Sequence, residues 1–158
     1  MAQDLESKAE KAFIAFLQTS PELRGCRFTK NGDESPKTNG TIVVMAQRGA
    51  EVSPPSGIYS VAVTIELLLR VRKGTDSARL FSSKCAAIAE RLEVNWLILA
   101  DRLTGMLTDW HCYYARINGT QTEPKENAHR RVFTCEIEAM PVTFEQARLR
   151  QALPQPRF

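Results

Sequence analysis

The stretch VAVTIELLLRV, residues 61–71, determines the fold that we expect for this chain. Its odd-numbered positions hold Val61, Val63, Ile65, Leu67, Leu69 and Val71, and its even-numbered positions hold Ala62, Thr64, Glu66, Leu68 and Arg70. Because successive side chains of a β-strand point to opposite faces, this alternation predicts one long strand with a wholly apolar face. Such a face requires a cover, which helices supply in a domain of mixed pattern.

Two flanking segments have the spacing of amphipathic helices that could cover this face. Apolar residues recur on one helical side in residues 5–17 and again in residues 81–92. Asp4 is placed to cap the first helix, and residues 75–77 offer capping side chains to the second. In residues 95–107 we expect only a helical turn, because Gly105 weakens a longer helix.

Three further segments are typical of strands. Residues 41–46 are β-branched and apolar, and residues 111–118 and 133–139 alternate with period two. Residues 24–40 are rich in turn formers and predict a loop that includes a short strand at residues 26–29. The connections formed by residues 47–60 and 118–130 are long for hairpins, and loops of that length are usually functional or disordered.

The order of elements predicts an α+β fold. We expect a mainly antiparallel four-stranded sheet with two amphipathic helices on one face, long hairpin loops and a C-terminal arm. Residues 1–140 form the single domain, and residues 141–158 form the arm, which has few apolar residues. The opposite face of the sheet is either solvated or a subunit interface, with Glu66 and Arg116 predicted to pair across strands.

The composition disfavours some classes of function but does not identify one. The chain has 158 residues, 43% apolar and 25% charged, which suits one domain, and its net charge of +3 is too small for a dedicated nucleic-acid binder. Charges in residues 1–20 and the short apolar runs elsewhere predict a soluble, intracellular chain. A local excess of positive charge in residues 70–91 supports an alternative, a small nucleic-acid-associated or regulatory binding domain.

The search for reaction chemistry predicts no catalytic, cofactor or metal site. Four cysteines are widely spaced and two histidines lack partner motifs, so neither a zinc site nor a nucleophilic triad is indicated. No phosphate-binding glycine motif occurs. Glu136 and Glu138 share one strand face and could serve acid/base work or bind a cation, but exposed strand carboxylates rarely do so. A small hydrolase or transferase is therefore the least supported class.

The arrangement resembles the head-to-tail joining and tail-terminator proteins of tailed bacteriophages, the family that includes minor tail protein U and tail-completion proteins. The resemblance extends over about residues 5–140 and lies in five segments: LESKAEKAFIAFL, YSVAVTIELLLRVR, ARLFSSKCAAIAERL, WHCYYARI and RVFTCEIEAMP. It implies a virion protein of the tail or neck, assembled in the host cytoplasm without a membrane. The resembled family has no catalytic residues that could be assigned to positions of this chain.

The same resemblance implies the partners. Such proteins form rings, commonly hexameric, that cap the tail tube and join it to the head connector, while DNA passes through the lumen without sequence-specific contact. Residues 47–60, 118–130 and 141–158 would then contact neighbouring subunits. The candidate interface residues are Glu51, Val52, Ile58, Tyr59, Glu66, Arg70, Arg72, Lys73, Arg116, Glu136, Glu138, Phe144, Arg148 and Phe158.

Overall fold

The fold is α+β, as the sequence predicts. The computed structural model describes residues 5–30, 40–71, 76–106, 110–122 and 128–141. Its elements, in chain order, are helix α1 (Leu5–Leu17), a 3₁₀ turn (Pro21–Leu23), strands β1 (Arg27–Thr29), β2 (Thr41–Glu51) and β3 (Tyr59–Arg70), helices α2 (Ser77–Leu92) and α3 (Trp96–Met106), and strands β4 (Trp110–Thr122) and β5 (Ala128–Pro141). Three helices and five strands replace the expected two and four.

One sheet contains all five strands, in the order β1-β2-β3-β5-β4. Every neighbouring pair is antiparallel except β1 and β2, which run parallel with Arg27 beside Thr41 and Thr29 beside Val43. The short strand expected near residues 26–29 is therefore one of the two edge strands of the sheet, and β4 is the other. The expected four-stranded sheet lacked it because three residues are too few to define a period.

The core lies between the helices and one face of the sheet. The odd-numbered side chains of β3 from Val61 to Leu69 are fully buried, which confirms the predicted apolar face over these residues. Val71 does not belong to it, because β3 ends at Arg70 and Val71 is 46% exposed. The helical residues packed with them are Leu5, Ala9, Ala12, Phe13, Phe16 and Leu17 of α1, Phe81, Cys85, Ala87, Ile88 and Leu92 of α2, and Leu99, Ala100 and Leu103 of α3. At about 25 cal/mol per Å² of apolar surface, this burial is the main source of stability.

The helices begin where their first amide groups find acceptors. The Asp76 carboxylate caps α2 by accepting from the backbone N–H of Arg79 at 3.2 Å, within the capping segment expected from the sequence. At α3, the Asn95 side-chain oxygen accepts from the N–H of Leu97 at 2.9 Å. Helix α3 has eleven residues where only a helical turn was expected, and Gly105 is accommodated near its end. Asp4 lies outside the described residues.

The prediction of a long connection over residues 47–60 is wrong. Strand β2 continues to Glu51 and β3 begins at Tyr59, so the connection consists of residues 52–58. A register irregularity between Arg48 and Glu51 accommodates Gly49, which the period-two pattern could not show. Likewise β4 and β5 extend to Thr122 and back from Ala128, so much of the expected connection over residues 118–130 is paired strand.

The two long hairpins lie at opposite ends of the sheet. The turn of the β2–β3 hairpin is at the end where Tyr59 pairs with Ala139, whereas β4 ends and β5 begins at the end where Arg70 pairs with Ala128. Strands of 11 to 14 residues span about 40 Å, while a 13-residue helix spans about 20 Å. Residues 47–50 and 118–122 are exposed on both faces because the sheet outreaches its helices.

Strand β5 ends at Pro141, so the expected arm, with Phe144, Arg148 and Phe158, lies outside the described residues. Arg72 and Lys73 lie outside them as well. Within the part of the chain that the structure describes, no helix has both the length and the apolar character needed to cross a bilayer.

Candidate functional site

The helix-free face of the sheet has an ion pair between its strands β3 and β5, toward the end where Arg70 pairs with Ala128. The guanidinium of Arg130 on β5 contacts the Glu66 carboxylate on β3 twice, through Nε at 2.8 Å and through an Nη at 3.0 Å. The Glu66 side chain is 10% exposed and that of Arg130 is 29% exposed. A two-point pair of this kind fixes the direction of both side chains and is stronger than an exposed pair.

The expected pairing of Glu66 with Arg116 is wrong. Strand β5 lies between β3 and β4. Glu66 on β3 therefore pairs with Val132 on β5, and Arg116 on β4 is separated from it by that strand. Arg116 lies opposite Glu136, and its Nε donates to the side-chain oxygen of Asn118 at 2.9 Å. The Asn118 amide in turn donates to Glu136 at 3.5 Å, which completes an exposed polar row.

One end of the helix-free face is buried. Val43 on β2 is 1% exposed, and Thr41 and Leu68 are fully buried beside it. Glu66 follows in the same region at 8% exposure. The interpretation of this face as wholly solvated therefore fails at this end, whereas Met45, Ala62, Arg116 and Thr134 of the same face are exposed.

The turn of the β2–β3 hairpin brings four predicted interface residues together. The N–H of Val52 donates to the carbonyl of Ile58 at 2.7 Å, and the Glu51 carboxylate accepts from the N–H of Gly57 at 2.8 Å. Gly57 has a φ of +74°, which favours glycine there. Tyr59 packs beneath the guanidinium of Arg48, 4.9 Å from the ring centroid. The hairpin end is thus an ordered structure that offers charged, apolar and aromatic groups.

The other predicted interface residues are spread over the sheet. Arg70 is exposed at the end opposite the β2–β3 turn, at the C-terminus of β3. Glu136 and Glu138 are half-buried on the helix-free face, beside Ala62 and Ser60. The described candidates therefore form two groups, one at the β2–β3 turn and one along the helix-free face, with Arg70 at the far end.

Two carboxylates of α1 cover the edge of β2, which the sequence analysis did not anticipate. Glu10 Oε2 accepts from the backbone N–H of Ala46 at 2.9 Å, and Glu6 Oε1 accepts from the N–H of Arg48 at 3.0 Å. These amide groups lie beyond the reach of β1, which pairs only with residues 41–43. Charged groups that occupy edge amides prevent strand-to-strand aggregation. The i, i+4 spacing of the two glutamates on α1 was the signal available in the sequence.

The positive residues of α2 mainly hold the chain together. Lys84 is 7% exposed and donates to the carbonyl of Glu22 at 3.0 Å, while Arg91 donates to the carbonyl of Thr19 at 3.0 Å. Arg79 pairs with Asp76 at 3.2 Å on the surface. Among the described positive residues of α2, Lys84 and Arg91 are therefore engaged in contacts within the chain and Arg79 pairs with a neighbouring carboxylate, while Arg72 and Lys73 of the expected basic segment lie outside the described residues.

The thiols and imidazoles are packed within the fold. All four cysteines are buried and reduced, and burial raises the pKa of Cys112 and of Cys135 to about 12, which disfavours the nucleophilic thiolate. His129 stacks on the Phe81 ring, and His111 contacts the Tyr113 ring edge-on. Among the described residues, no group of three or more His, Cys, Asp or Glu side chains could hold a metal ion.

An apolar surface on α3 is the feature that the sequence analysis missed. Trp96, Leu97 and Ile98 are consecutive and exposed by 45%, 59% and 47%, and Tyr113 of β4 is exposed by 39%. The Trp96 ring lies 5.5 Å from the ring of Tyr114. The exposed run WLI at the start of α3 was the available signal, but the segment was interpreted as a short turn.

A scan against protein-family models found no match for this chain, and a search of the curated proteins found none. The sequence pattern and the geometry of the fold are therefore the grounds for a functional proposal.

Proposed function

We propose that this chain is a virion structural protein of a tailed bacteriophage, a subunit of a ring at the head–tail junction. In this role, about six copies form a ring that caps the tail tube and joins it to the head connector, and DNA passes through the lumen. The resemblance in sequence suggests this role, and the surfaces of the fold support it.

The position of the two hairpins is the observation that supports this proposal most. They lie at opposite ends of one sheet and outreach the helices, so each subunit has two different projecting surfaces. A closed ring requires such unlike surfaces, because each subunit contacts the next through a head-to-tail interface. A dimer with a twofold axis would need only one self-complementary patch.

The charges of the open part of the sheet face support contact between unlike surfaces. Arg116, the neutral Asn118 and the half-buried Glu136 form a hydrogen-bonded row with one positive and one negative charge, and Glu51 lies at the far hairpin. Complementary charges choose the partner and the register more than they add affinity. The apolar Val52 and Ile58 at the hairpin end would supply the buried contact of the interface.

The covered edge of β2 disfavours growth by strand addition at that edge. Glu6 and Glu10 occupy amide groups that another strand would need, so copies cannot add indefinitely along this edge. Assembly is then directed to the hairpin ends and the sheet face.

Assembly state is the test of the proposal. We expect sedimentation velocity and negative-stain imaging of the full chain, alone and with a tail-tube protein, to show a closed ring. The double variant Val52→Asp with Ile58→Asp should remain folded, because both side chains are only half-buried at a hairpin turn, and should lose the ring. Ser82→Asp with Ser83→Asp, which adds the same two charges at exposed positions of α2, is the matched control and should keep the ring. A monomer under all of these conditions would refute the proposal.

A further inference from the structure

Cys26 and Lys84 form a buried contact between a thiol and an amine. Cys26 is 8% exposed and Lys84 is 7% exposed. The ammonium of Lys84 donates a hydrogen bond to the Cys26 sulfur and another to the carbonyl of Glu22, at 3.0 Å. The backbone N–H of Cys26 donates to the carbonyl of Leu23 at 3.1 Å, so the 3₁₀ turn holds the thiol in place. The contact joins the chain just before β1 to α2, and the proposed ring gives it no role.

Cys26 differs from the other three cysteines in its surroundings. Its exposure of 8% is the largest of the four, since Cys85 is 2%, Cys112 is 3% and Cys135 is 0% exposed. The Cys112 thiol donates to a backbone carbonyl at 3.2 Å. Burial raises the pKa of the Cys26 thiol, while the positive charge of Lys84 and its hydrogen bond act in the opposite direction. Oxidation favours thiols that have a positive neighbour and some access to solvent. Cys26 is therefore the thiol that a small oxidant should attack first.

We propose that Cys26 and Lys84 form a covalent sulfur–nitrogen cross-link when a peroxide oxidises the protein. Hydrogen peroxide takes two electrons from the Cys26 thiol, which becomes a sulfenic acid, and is reduced to water. A sulfenic acid condenses with a nitrogen that lies against it. The Lys84 nitrogen forms a bond to the sulfur and the S–OH bond breaks. Of the two protons that the ammonium loses, one leaves with the hydroxyl group as water and the other goes to solvent.

The packing of the sulfur favours this cross-link over further oxidation. The sulfur lies against Gly40, where an added Cβ would be only 3.3 Å from it. A side chain packed so closely has little room to turn away from the amine that contacts it. The Lys84 nitrogen is therefore in place when the sulfenic acid forms.

The cross-link would act as a reversible stabiliser of the fold. It closes a loop that includes residues 27–83, and closing a loop restricts the unfolded chain more than the folded one. A small thiol that attacks the sulfur releases the Lys84 amine, and a second thiol restores Cys26. The oxidised protein should therefore resist urea better than the reduced protein does.

Tryptic peptide mapping of the full chain tests the assignment. The native protein is treated with hydrogen peroxide, its remaining thiols are alkylated, and it is digested without a reductant. Trypsin does not cleave after a lysine whose amine is modified. We expect residues 25–27 joined to an uncleaved peptide of residues 80–91, with the summed mass less two hydrogens. Dithiothreitol should separate the two peptides and restore cleavage after Lys84.

Two variants are the matched controls. Lys84→Gln keeps a hydrogen-bond donor but has no amine, so the joined peptides should be absent and Cys26 should proceed to the sulfinic acid. Cys26→Ser should also lack the joined peptides. In urea titrations, peroxide should raise the midpoint of unfolding of the wild-type protein, and dithiothreitol should return it. The midpoint of neither variant should rise.

Three results would overturn the inference. The first is a sulfinic acid at Cys26 beside an unmodified Lys84 in the wild-type protein. The second is a disulfide to Cys85, which trypsin distinguishes because residues 25–27 would then be joined to residues 85–91. The third is a Cys26 thiol that peroxide leaves intact in the folded chain and oxidises in urea. A ring and a monomer can both carry the cross-link, so these results leave the proposed function to its own test.

Discussion

Arg130 and Glu66 form a two-point ion pair at 2.8 and 3.0 Å on the helix-free face of the sheet, beside the fully buried Leu68. The sequence suggested Arg116 as the partner of Glu66, but strand β5 lies between their strands. The pair fixes β3 and β5 at the end of the sheet where the face is buried.

Loss of one member of this pair should destabilise the fold. Arg130→Ala leaves the Glu66 carboxylate nearly buried without its partner, so we expect the free energy of unfolding to fall by about 3 kcal/mol in urea titrations. Arg116→Ala, in the exposed row of the same face, should change it by less than about 0.5 kcal/mol. Equal effects of the two variants would contradict the account of the buried end.

Removal of an edge cover should both destabilise the fold and promote aggregation. Glu10→Ala frees the N–H of Ala46 and costs about 1.5 kcal/mol, although alanine is the better helix former. Light scattering at raised temperature should show faster aggregation than for the wild-type protein, because the β2 edge becomes available. Lys11→Ala, an exposed position next to it on α1, should match the wild-type protein in both measurements. If Lys11→Ala aggregates as fast, the edge explanation is wrong.

Because its thiols are buried, the folded protein should lose stability as the pH rises above about 9. Burial holds the pKa of Cys135 at about 12 in the folded chain, whereas an ordinary thiol ionises near 9.0. The unfolded chain therefore releases this proton first, and stability falls between pH 9 and 12 by about 1.4 kcal/mol per pH unit for this thiol. Other groups titrate between pH 9 and 12 as well. The slope of the free energy of unfolding against pH is therefore measured for Cys135→Ala and subtracted from the slope of the wild-type protein. A zero difference would contradict the assigned burial.

The same burial predicts slow thiol chemistry at neutral pH. We expect no reaction of the native protein with a disulfide reagent at pH 8 on the time scale of minutes, and reaction of four thiols after denaturation. Rapid labelling of Cys112 or Cys135 in the native protein would indicate a reactive site that the structure does not contain.

The chain should bind duplex DNA only weakly. Lys84 and Arg91 of the basic segment hold backbone carbonyls, and Arg79 pairs with Asp76, so few free charges remain for phosphate contacts among the described residues. We expect no mobility shift at sub-micromolar protein in 150 mM salt. A salt-dependent shift that is lost in the double variant Arg72→Glu with Lys73→Glu would favour the nucleic-acid-associated alternative instead.

Short-range patterns in the sequence predicted the parts of the fold that depend on burial. The alternation around Ile65 and the helical stripe around Phe13 each reflect one face against one core, so period alone identified them. The ends of the strands depend on distant partners. Strand β2 extends past Ala46 with the glutamates of α1 covering its edge, and no local pattern encodes that contact.

The candidate interface was predictable only in part. The residues around the β2–β3 turn, such as Glu51 and Ile58, were found because turn formers mark that segment. The pairing of Glu66 required the strand order, which the sequence pattern does not determine. The exposed Leu97 was missed because an apolar residue at a helical position is buried far more often than it is exposed.

The mass of the assembled particle tests the central claim most directly. Native mass spectrometry or sedimentation velocity of the full chain, alone and mixed with a tail-tube protein, measures it against the 17.7 kDa of one chain. We predict a closed assembly of about six chains, seen as rings in negative-stain images. A single species of one chain over the whole concentration range, also in the presence of the tube protein, would contradict the account.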